Sequence, residues 1–467
     1  MSLRPIIVLL LSVILLGCSI PKPLVEQIRE RGELRVATRN SHTTYYEGRN
    51  GLRGLEYELV TRFARSLGVR VRFIIPDRLD RILTMVENGE VDFAAAGLAA
   101  TPDRERRVRF TPGYQEVTQL LVYRGGSWRP RKLAETRNGT LEVVAGSVQE
   151  ELLEALRKDV PELQWAARRE SDSEELLYLV KEQLVDYTVA GSNVVALSRR
   201  FHPELQVALK LSAPMPLAWA FPHAEDSSLF QAACDFIGKL RREGTLEQLV
   251  ERYYGHTENL GFVDTRSFRR HIVSRLPTLL PFFRKAETET GIEWQLLAAI
   301  GYQESHWNPK AVSPTGVRGV MMLTRGTARQ LGVRDRRDPE QSILGGARYL
   351  KVVEKKLPQR ISEPDRLWLT LAGYNIGFGH LEDARILTQR AGGDPDKWAE
   401  VKKHLPLLSQ KKYYQTVKHG FARGREPVRY VDNIRGYYEL LLWENRPREE
   451  TSTADSGQLP TTMPAAL

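Results

Sequence analysis

Glu304 sits in the run Gly301-Tyr302-Gln303-Glu304-Ser305-His306-Trp307-Asn308-Pro309, and its spacing gives that carboxyl a chemical task. The residues before it, Ile292 to Tyr302, read as a helix with Leu297 and Ile300 on its apolar stripe. Glu304 falls next on that stripe, at i+7 and i+4. A carboxylate on an apolar helix face loses hydration, which favours the neutral form and raises the pKa. A carboxylic acid still protonated near neutral pH is what proton donation to a glycosidic oxygen requires. Spacing alone leaves a second arrangement open, a glutamate at a frayed helix end turned to water. Trp307 and Pro309 are expected to end the helix close to the acid.

The segments that must position this acid follow in order. Ser313-Pro314-Thr315-Gly316 is a turn signal leading to Arg318-Gly319-Val320-Met321-Met322-Leu323-Thr324 and a helix through Thr327 and Leu331. Leu371-Ala372-Gly373-Tyr374-Asn375-Ile376-Gly377 and Pro427-Val428-Arg429-Tyr430-Val431 come later. The Glu-Ser pair, the Gly-x-Met element, the Ala-x-Tyr-Asn element and the Tyr-Val element resemble, in this order, the soluble-lytic-transglycosylase catalytic domain. The resemblance covers roughly residues 270 to 445. It implies a lysozyme-like, mostly helical fold that cleaves peptidoglycan, with Glu304 as catalytic acid and then base. Ser305, Met321, Tyr374, Asn375 and Tyr430 are the substrate-binding candidates.

Each candidate has a plainer alternative. Ser305 orients the substrate or the acid, or satisfies backbone carbonyls at a helix end. Tyr374 and Asn375 line the cleft, or form a turn before Gly377. Met321 is a cleft wall or a core methionine, and Tyr430 reaches the acid or packs as an ordinary aromatic. Many relatives in the wider superfamily carry a glutamine where Met322 stands, and a thioether cannot supply an amide's hydrogen bonds.

An ordinary glycosidase needs two carboxylates flanking the bond, whereas the resemblance implies a single-acid enzyme acting on glycan strands. A hydrolytic muramidase of the same fold is the first alternative, with Glu293 and Glu382-Asp383 as available second acids. A solute-binding or sensor module with an inactive catalytic domain is the second.

A further pattern precedes the catalytic region. Leu34 to Thr38, Val69 to Ile75 and Val91 to Ala96 read as strands, alternating with helices over Glu56 to Leu67 and Leu79 to Val86. This alternation predicts an α/β unit with a largely parallel sheet. Gly54-Leu55-Glu56-Tyr57-Glu58-Leu59, Asn88-Gly89-Glu90-Val91-Asp92, Thr101-Pro102-Asp103-Arg104, Phe110-Thr111-Pro112-Gly113-Tyr114 and the end at Tyr253-Tyr254-Gly255 resemble the periplasmic solute-binding proteins for polar amino acids. Ala145-Gly146-Ser147 is expected to open the second lobe. The resemblance implies that Arg104 grips a ligand carboxylate, a task suited to a planar guanidinium; the alternative is a surface arginine in a charged run. Gly191 stands where that family places an acid for the ligand ammonium. A carboxylate-bearing ligand such as a muropeptide stem end therefore fits better than a free amino acid.

The N-terminus carries an address. Arg4 precedes an apolar run, Ile6 to Leu16, too short to span a bilayer as a helix. It ends in Leu15-Leu16-Gly17-Cys18, which looks like a lipoprotein signal with Cys18 as the acylated first residue; an ordinary cleaved signal is the alternative. Ser19 follows rather than Asp, which favours the periplasmic face of the outer membrane. Association is expected through the N-terminal lipid or peripherally. Cys234 is the only other cysteine and is expected in the core.

The 467 residues fit two or three folding units at about 150 each, and 42% hydrophobic content suffices for their cores. The net charge of +10 suits an anionic setting such as a lipid surface or an acidic polymer. It is spread along the chain, so no nucleic-acid partner is expected. No residue set has metal-ligand spacing, and no cofactor is expected.

The expected architecture is an α/β two-lobed periplasmic-binding-protein-like domain plus a mostly α lysozyme-like domain. Residues 1–17 are read as signal, 18–29 as anchor linker, 30–256 as binding module, 257–269 as linker, 270–445 as catalytic domain and 446–467 as a disordered tail. The two resemblances in this order are similar to the membrane-bound lytic murein transglycosylase F family.

Overall fold

The computed structural model describes residues 22–48, 51–169, 171–255, 262–313 and 316–445. The signal segment with Cys18 and the tail lie outside the described residues.

Alternating pattern becomes alternating structure in the first unit, with shifts of a few residues at element ends. Strands Glu33–Ala37, Arg70–Ile74 and Phe93–Ala99 pair in parallel, and helices Leu55–Leu67 and Arg81–Glu87 make the crossovers. Leu55–Leu67 buries Leu55, Leu59, Val60, Phe63 and Leu67, one face of a helical period. It stops at Gly68, whose φ of 77° is a left-handed cap that glycine adopts without strain.

The sheets are mixed rather than largely parallel. Met215–Pro222 runs antiparallel to Phe93–Ala99, Val108–Phe110 and Gln115–Val117. A second sheet has the order Ala166–Arg168, Leu141–Val144, Tyr187–Gly191, Gln119–Arg124, Leu205–Lys210, with Gln119–Arg124 antiparallel to both neighbours. The chain crosses between lobes twice, near Thr118 and between Lys210 and Met215, and each crossing reverses a strand. The second lobe therefore opens at Gln119, earlier than the expected turn. Ser147 instead caps helix Val148–Leu156, its hydroxyl accepting the Glu150 amide at 3.2 Å. Cys234 is half-buried rather than in the core.

Helices build the second unit. Residues 262–269, expected as linker, already belong to helix Phe262–Ser274. Arg275 separates it from Leu276–Thr290, where Pro277 sits in the tolerant first turn and Pro281 lies inside the helix. Trp294–Ser305 is buried on nearly every side, with Leu296 through Tyr302 all inside. Around it pack Leu276–Thr290, Pro339–Lys356 and the last helix, Arg425–Glu444. One core joins Phe268, Phe283, Leu297, Ile300, Trp307, Trp368, Tyr430 and Ile434.

The last helix also docks on the α/β unit. The Arg435 guanidinium lies 3.9 Å from the Trp368 ring centroid. It bonds Glu251 Oε1 at 3.2 Å and the Arg252 carbonyl at 2.9 Å, at the C-terminal end of helix Thr245–Tyr254. Glu251 also holds Lys402 at 2.6 Å. From the other lobe, Arg200 forms a buried ion pair with Glu439. Both lobes thus grip one catalytic-unit helix. Removing one partner of a buried pair strands the other charge, at a cost of about 3 kcal/mol. In urea unfolding of the full chain, Arg200→Ala should lower the transition midpoint, and Arg200→Met with Glu439→Leu together should recover most of the loss. A midpoint unmoved by Arg200→Ala would remove the pair from the stability argument.

Candidate active site

The acid is presented by how its helix ends. His306 caps Trp294–Ser305 in the left-handed region (φ 51°), its amide bonded to the Tyr302 carbonyl at 2.8 Å. Trp307 is left-handed too, at φ 58°. Two such residues in succession are costly without glycine. Trp307 is held because it turns beneath the helix and donates its indole N–H to the Ala298 carbonyl at 2.8 Å. Arg275 meets the His306 carbonyl at 2.8 Å. The chain therefore leaves abruptly, and Glu304 sits in the last turn.

Glu304 is only partly covered at the surface, yet protein atoms surround it closely enough to strip most of its hydration. Burial pushes its pKa up to about 7, and the hydrogen bond from Tyr430 acts in the opposite sense without cancelling the rise. That bond runs from Tyr430 Oη to Glu304 Oε1 at 2.5 Å. The position at the negative end of the helix dipole also disfavours the ionised carboxyl. Tyr430 is buried and Tyr374 half-buried, and desolvation together with the Glu304 charge holds both hydroxyls well above the usual range. Both stay neutral beside the acid. No charged partner contributes to the Glu304 shift.

None of Glu293, Glu382 and Asp383 contributes to the Glu304 shift, and each is engaged elsewhere. Glu293 caps the opposite end of the same helix, about 16 Å away at 1.5 Å per residue, and accepts Tyr438 Oη at 2.6 Å. Glu382 pairs with Arg385 at 2.5 Å. Asp383 is buried and accepts the Lys418 and His419 amides at 3.2 and 2.8 Å.

The loop facing the acid is built by side chains that bind its backbone. Tyr374 Oη donates to the Met321 carbonyl at 3.1 Å, Ser342 Oγ accepts the Met321 amide at 3.1 Å, and Arg336 reaches the Leu323 carbonyl at 2.9 Å. The Ser305 hydroxyl lies 2.8 Å from the Val320 carbonyl and 3.1 Å from that of Gly301, and accepts the Asn308 amide at 3.2 Å. Ser305 therefore ties the helix end to the loop through backbone rather than facing the cleft. Met321 is corrected as a cleft residue: its side chain is fully buried, packed against Gly346 and Gly301. A Cβ at Gly346 would come within 2.7 Å of it. Met322 is the half-buried one, at a left-handed φ of 45°. Asn375 is exposed at the end of helix Asp365–Ile376, and its side chain bonds to no described residue. Sequence reasoning missed Asn433, whose amide bonds Gln303 Oε1 at 3.1 Å. The signal was there: Tyr430 and Asn433 are an i, i+3 pair facing the adjacent residues Glu304 and Gln303.

Arg104 lies in the other unit, between the lobes. It is buried, and its guanidinium bonds both oxygens of Glu151 from the second lobe, Nε at 3.0 and 3.2 Å. Ser41 and Glu174 form a second link across the cleft at 2.5 Å. The remaining space is about 40 Å³, room for a few waters. Gly191 lines it beside Gln119 and Asn193. Among the described residues no acidic or histidine cluster could hold a metal, and no helix is long and apolar enough to cross a membrane.

Relatives align along nearly the whole chain. The protein is 48% identical over 96% of its length to a membrane-bound lytic murein transglycosylase F of Alkalilimnicola ehrlichii, of which it covers 91%. A relative of the same name in Alcanivorax borkumensis is 46% identical, with 93% of each chain covered. One in Ectopseudomonas mendocina is 46% identical over 95% of this chain and 92% of that one. This chain belongs to the membrane-bound lytic murein transglycosylase F family. It is an enzyme, a peptidoglycan lytic transglycosylase. The bacterial extracellular solute-binding protein family 3 matches residues 34–256, and the transglycosylase SLT domain matches residues 281–396. An ancestral arginine-binding protein bound to arginine aligns at a TM-score of 0.44 and 24% identity, over 48% of this chain and 99% of that one.

The raised Glu304 pKa has a stability consequence. The folded state binds a proton more tightly than the unfolded state, so stability is highest below the unfolded value of 4.5 and falls as pH rises to about 7. At 1.36 kcal/mol per unit the full loss is at most about 3 kcal/mol. Glu304→Gln should unfold at a higher temperature than the unaltered protein at pH ~8, and at the same temperature near pH ~4. A constant difference at both would contradict the desolvated carboxyl.

Proposed function

We propose that the enzyme cleaves the β-1,4 bond between N-acetylmuramic acid and N-acetylglucosamine and leaves a 1,6-anhydromuramoyl end. The observation that carries this reading is a carboxyl at a helix end, hydrogen-bonded by Tyr430 and with its pKa pushed by burial up to about 7, with no described acid contributing to its shift. Protonated Glu304 gives its proton to the bridging oxygen, and the bond from that oxygen to C1 breaks. The 2-acetamido group of the muramoyl sugar supports C1 from within the substrate. The C6 hydroxyl then bonds to C1 and loses its proton to Glu304, which returns to its starting form. No water is consumed. An intramolecular nucleophile already in place is worth about 7–11 kcal/mol in well-oriented cases, which removes the need for a second carboxylate. Tyr430 holds the Glu304 carboxyl in one orientation. Exposed Asn375 offers hydrogen bonds to acetamido or hydroxyl groups, and Ser305 and Tyr374 hold the facing loop.

Digestion of purified sacculi should release muropeptides one water lighter than hydrolysis products. Glu304→Gln should lower the rate by at least about 10³, the scale of lost general acid–base catalysis. Products with only reducing ends would favour the hydrolytic muramidase instead.

The binding module is proposed to regulate this cleavage. Helix Arg425–Glu444 carries Tyr430 to the acid and also carries Arg435 and Glu439 to the two lobes. A lobe rearrangement is therefore felt on the catalytic side. The proposed ligand is a cell-wall peptide with a carboxylate for Arg104, and it must displace Glu151. Stem peptides titrated by calorimetry should bind more tightly to Glu151→Ala than to the unaltered protein, and not at all to Arg104→Ala. Equal heats from all three would remove Arg104 from ligand recognition. Membrane attachment is proposed through a lipid on Cys18, at the periplasmic face of the outer membrane.

A further inference from the structure

The second lobe has a concavity at its far end. Strand Gln119–Arg124 starts at the crossing between lobes and runs away from it, and Tyr187–Gly191 runs back antiparallel beside it. At the end remote from the interlobe cleft, Ser127, Trp128, Asn138, Asp186 and Tyr187 enclose about 270 Å³. Of the eight tryptophans in the chain, Trp128 alone is exposed, at 65%. The polar side of the hollow is built rigidly. Asp186 Oδ2 accepts the Thr140 amide at 2.7 Å and the Thr140 hydroxyl at 3.0 Å, while that hydroxyl accepts the Asp186 amide at 3.0 Å. Gly139 leaves the space for this, since a Cβ there would lie 2.8 Å from Oδ2. The other oxygen, Oδ1, and the Asn138 amide bond to no described residue.

We propose that this hollow is a subsite for an N-acetylated pyranose of the glycan strand, separate from the catalytic cleft and from the interlobe cleft. A pyranose with equatorial substituents has a flat C–H face and a rim of hydroxyls. An exposed indole takes such a face with little conformational loss. A carboxylate oxygen accepts from hydroxyls or an acetamido N–H, and a carboxamide both donates and accepts. The same loop carries Arg129, Arg131 and Lys132, and Leu184 is 70% exposed nearby, features that suit an anionic bilayer. The Asp186 carboxylate inside the hollow favours neutral hydroxyls over lipid phosphate. The assignment rests on the peptidoglycan substrate of the proposed function. A second attachment point on the same polymer raises the effective concentration of strand at the cleft without touching the chemistry.

The test uses the full chain carrying Glu304→Gln, so that the polymer stays intact, sedimented with purified sacculi and titrated with tetra-N-acetylchitotetraose by NMR. Adding Trp128→Ala should weaken both roughly fivefold, the scale of one aromatic stack, and Asp186→Asn should weaken both as well. With Glu304 restored, Trp128→Ala should slow digestion of sacculi and leave turnover of short soluble glycans unchanged. Undiminished retention in Trp128→Ala overturns the proposal. So does Trp128-dependent binding to phosphatidylglycerol vesicles that Asp186→Asn strengthens, because the surface then serves a membrane. Loss of retention in Trp128→Ala, alongside products without anhydro ends, would keep the subsite and reject the proposed reaction.

Discussion

The catalytic unit is arranged around one carboxyl kept short of water and given no cation. A lysine or arginine beside Glu304 would have drawn its pKa down and left it ionised at neutral pH. The structure supplies a neutral donor instead. Tyr430 is itself so buried, and so close to the Glu304 charge, that it keeps its proton. The acid is thus oriented without being discharged. A carboxyl disfavoured when ionised keeps its proton near neutral pH, which the proposed cleavage uses first as acid and then as base.

Everything near the acid serves to hold it in that state. The Trp294–Ser305 helix ends in two left-handed residues because Trp307 is anchored beneath it. The facing loop is fastened through its backbone by Ser305, Ser342, Tyr374 and Arg336. Rigid backbone contacts of this kind fix a cleft wall without requiring its side chains to do so. Met322 therefore stands in a loop whose backbone is held by other side chains.

The α/β unit has a solute-binding architecture in which the buried Arg104 between the lobes is already occupied. Arg104 is satisfied by Glu151 from the opposite lobe, and Gly191 provides no countercharge for an ammonium group. The lobes are drawn together by their own side chains and by their shared hold on helix Arg425–Glu444. A fold suited to capturing a solute thus also serves as a clamp on the helix that supports the acid.

The order of elements was legible because it depends on local periodicity. Leu297, Ile300 and Glu304 share a face by spacing alone, and the strand–helix alternation needs only hydrophobic pattern. That pattern put Glu304 on the apolar face, with a water-facing helix end as the alternative, and only the resemblance pointed to Tyr374 and Tyr430 beside it. What spacing cannot decide is which of two adjacent residues turns inward when the backbone leaves regular structure. Met321 and Met322 differ in fate because a left-handed residue at 322 rotates the chain. The Ser305 hydroxyl met backbone brought from 15 residues away, and Glu151 met Arg104 across 47. The antiparallel return strands arose from where the chain crosses between lobes. Those are long-range encounters. A sequence states which groups exist and how they repeat, and only the packed chain decides which of them are left facing one another.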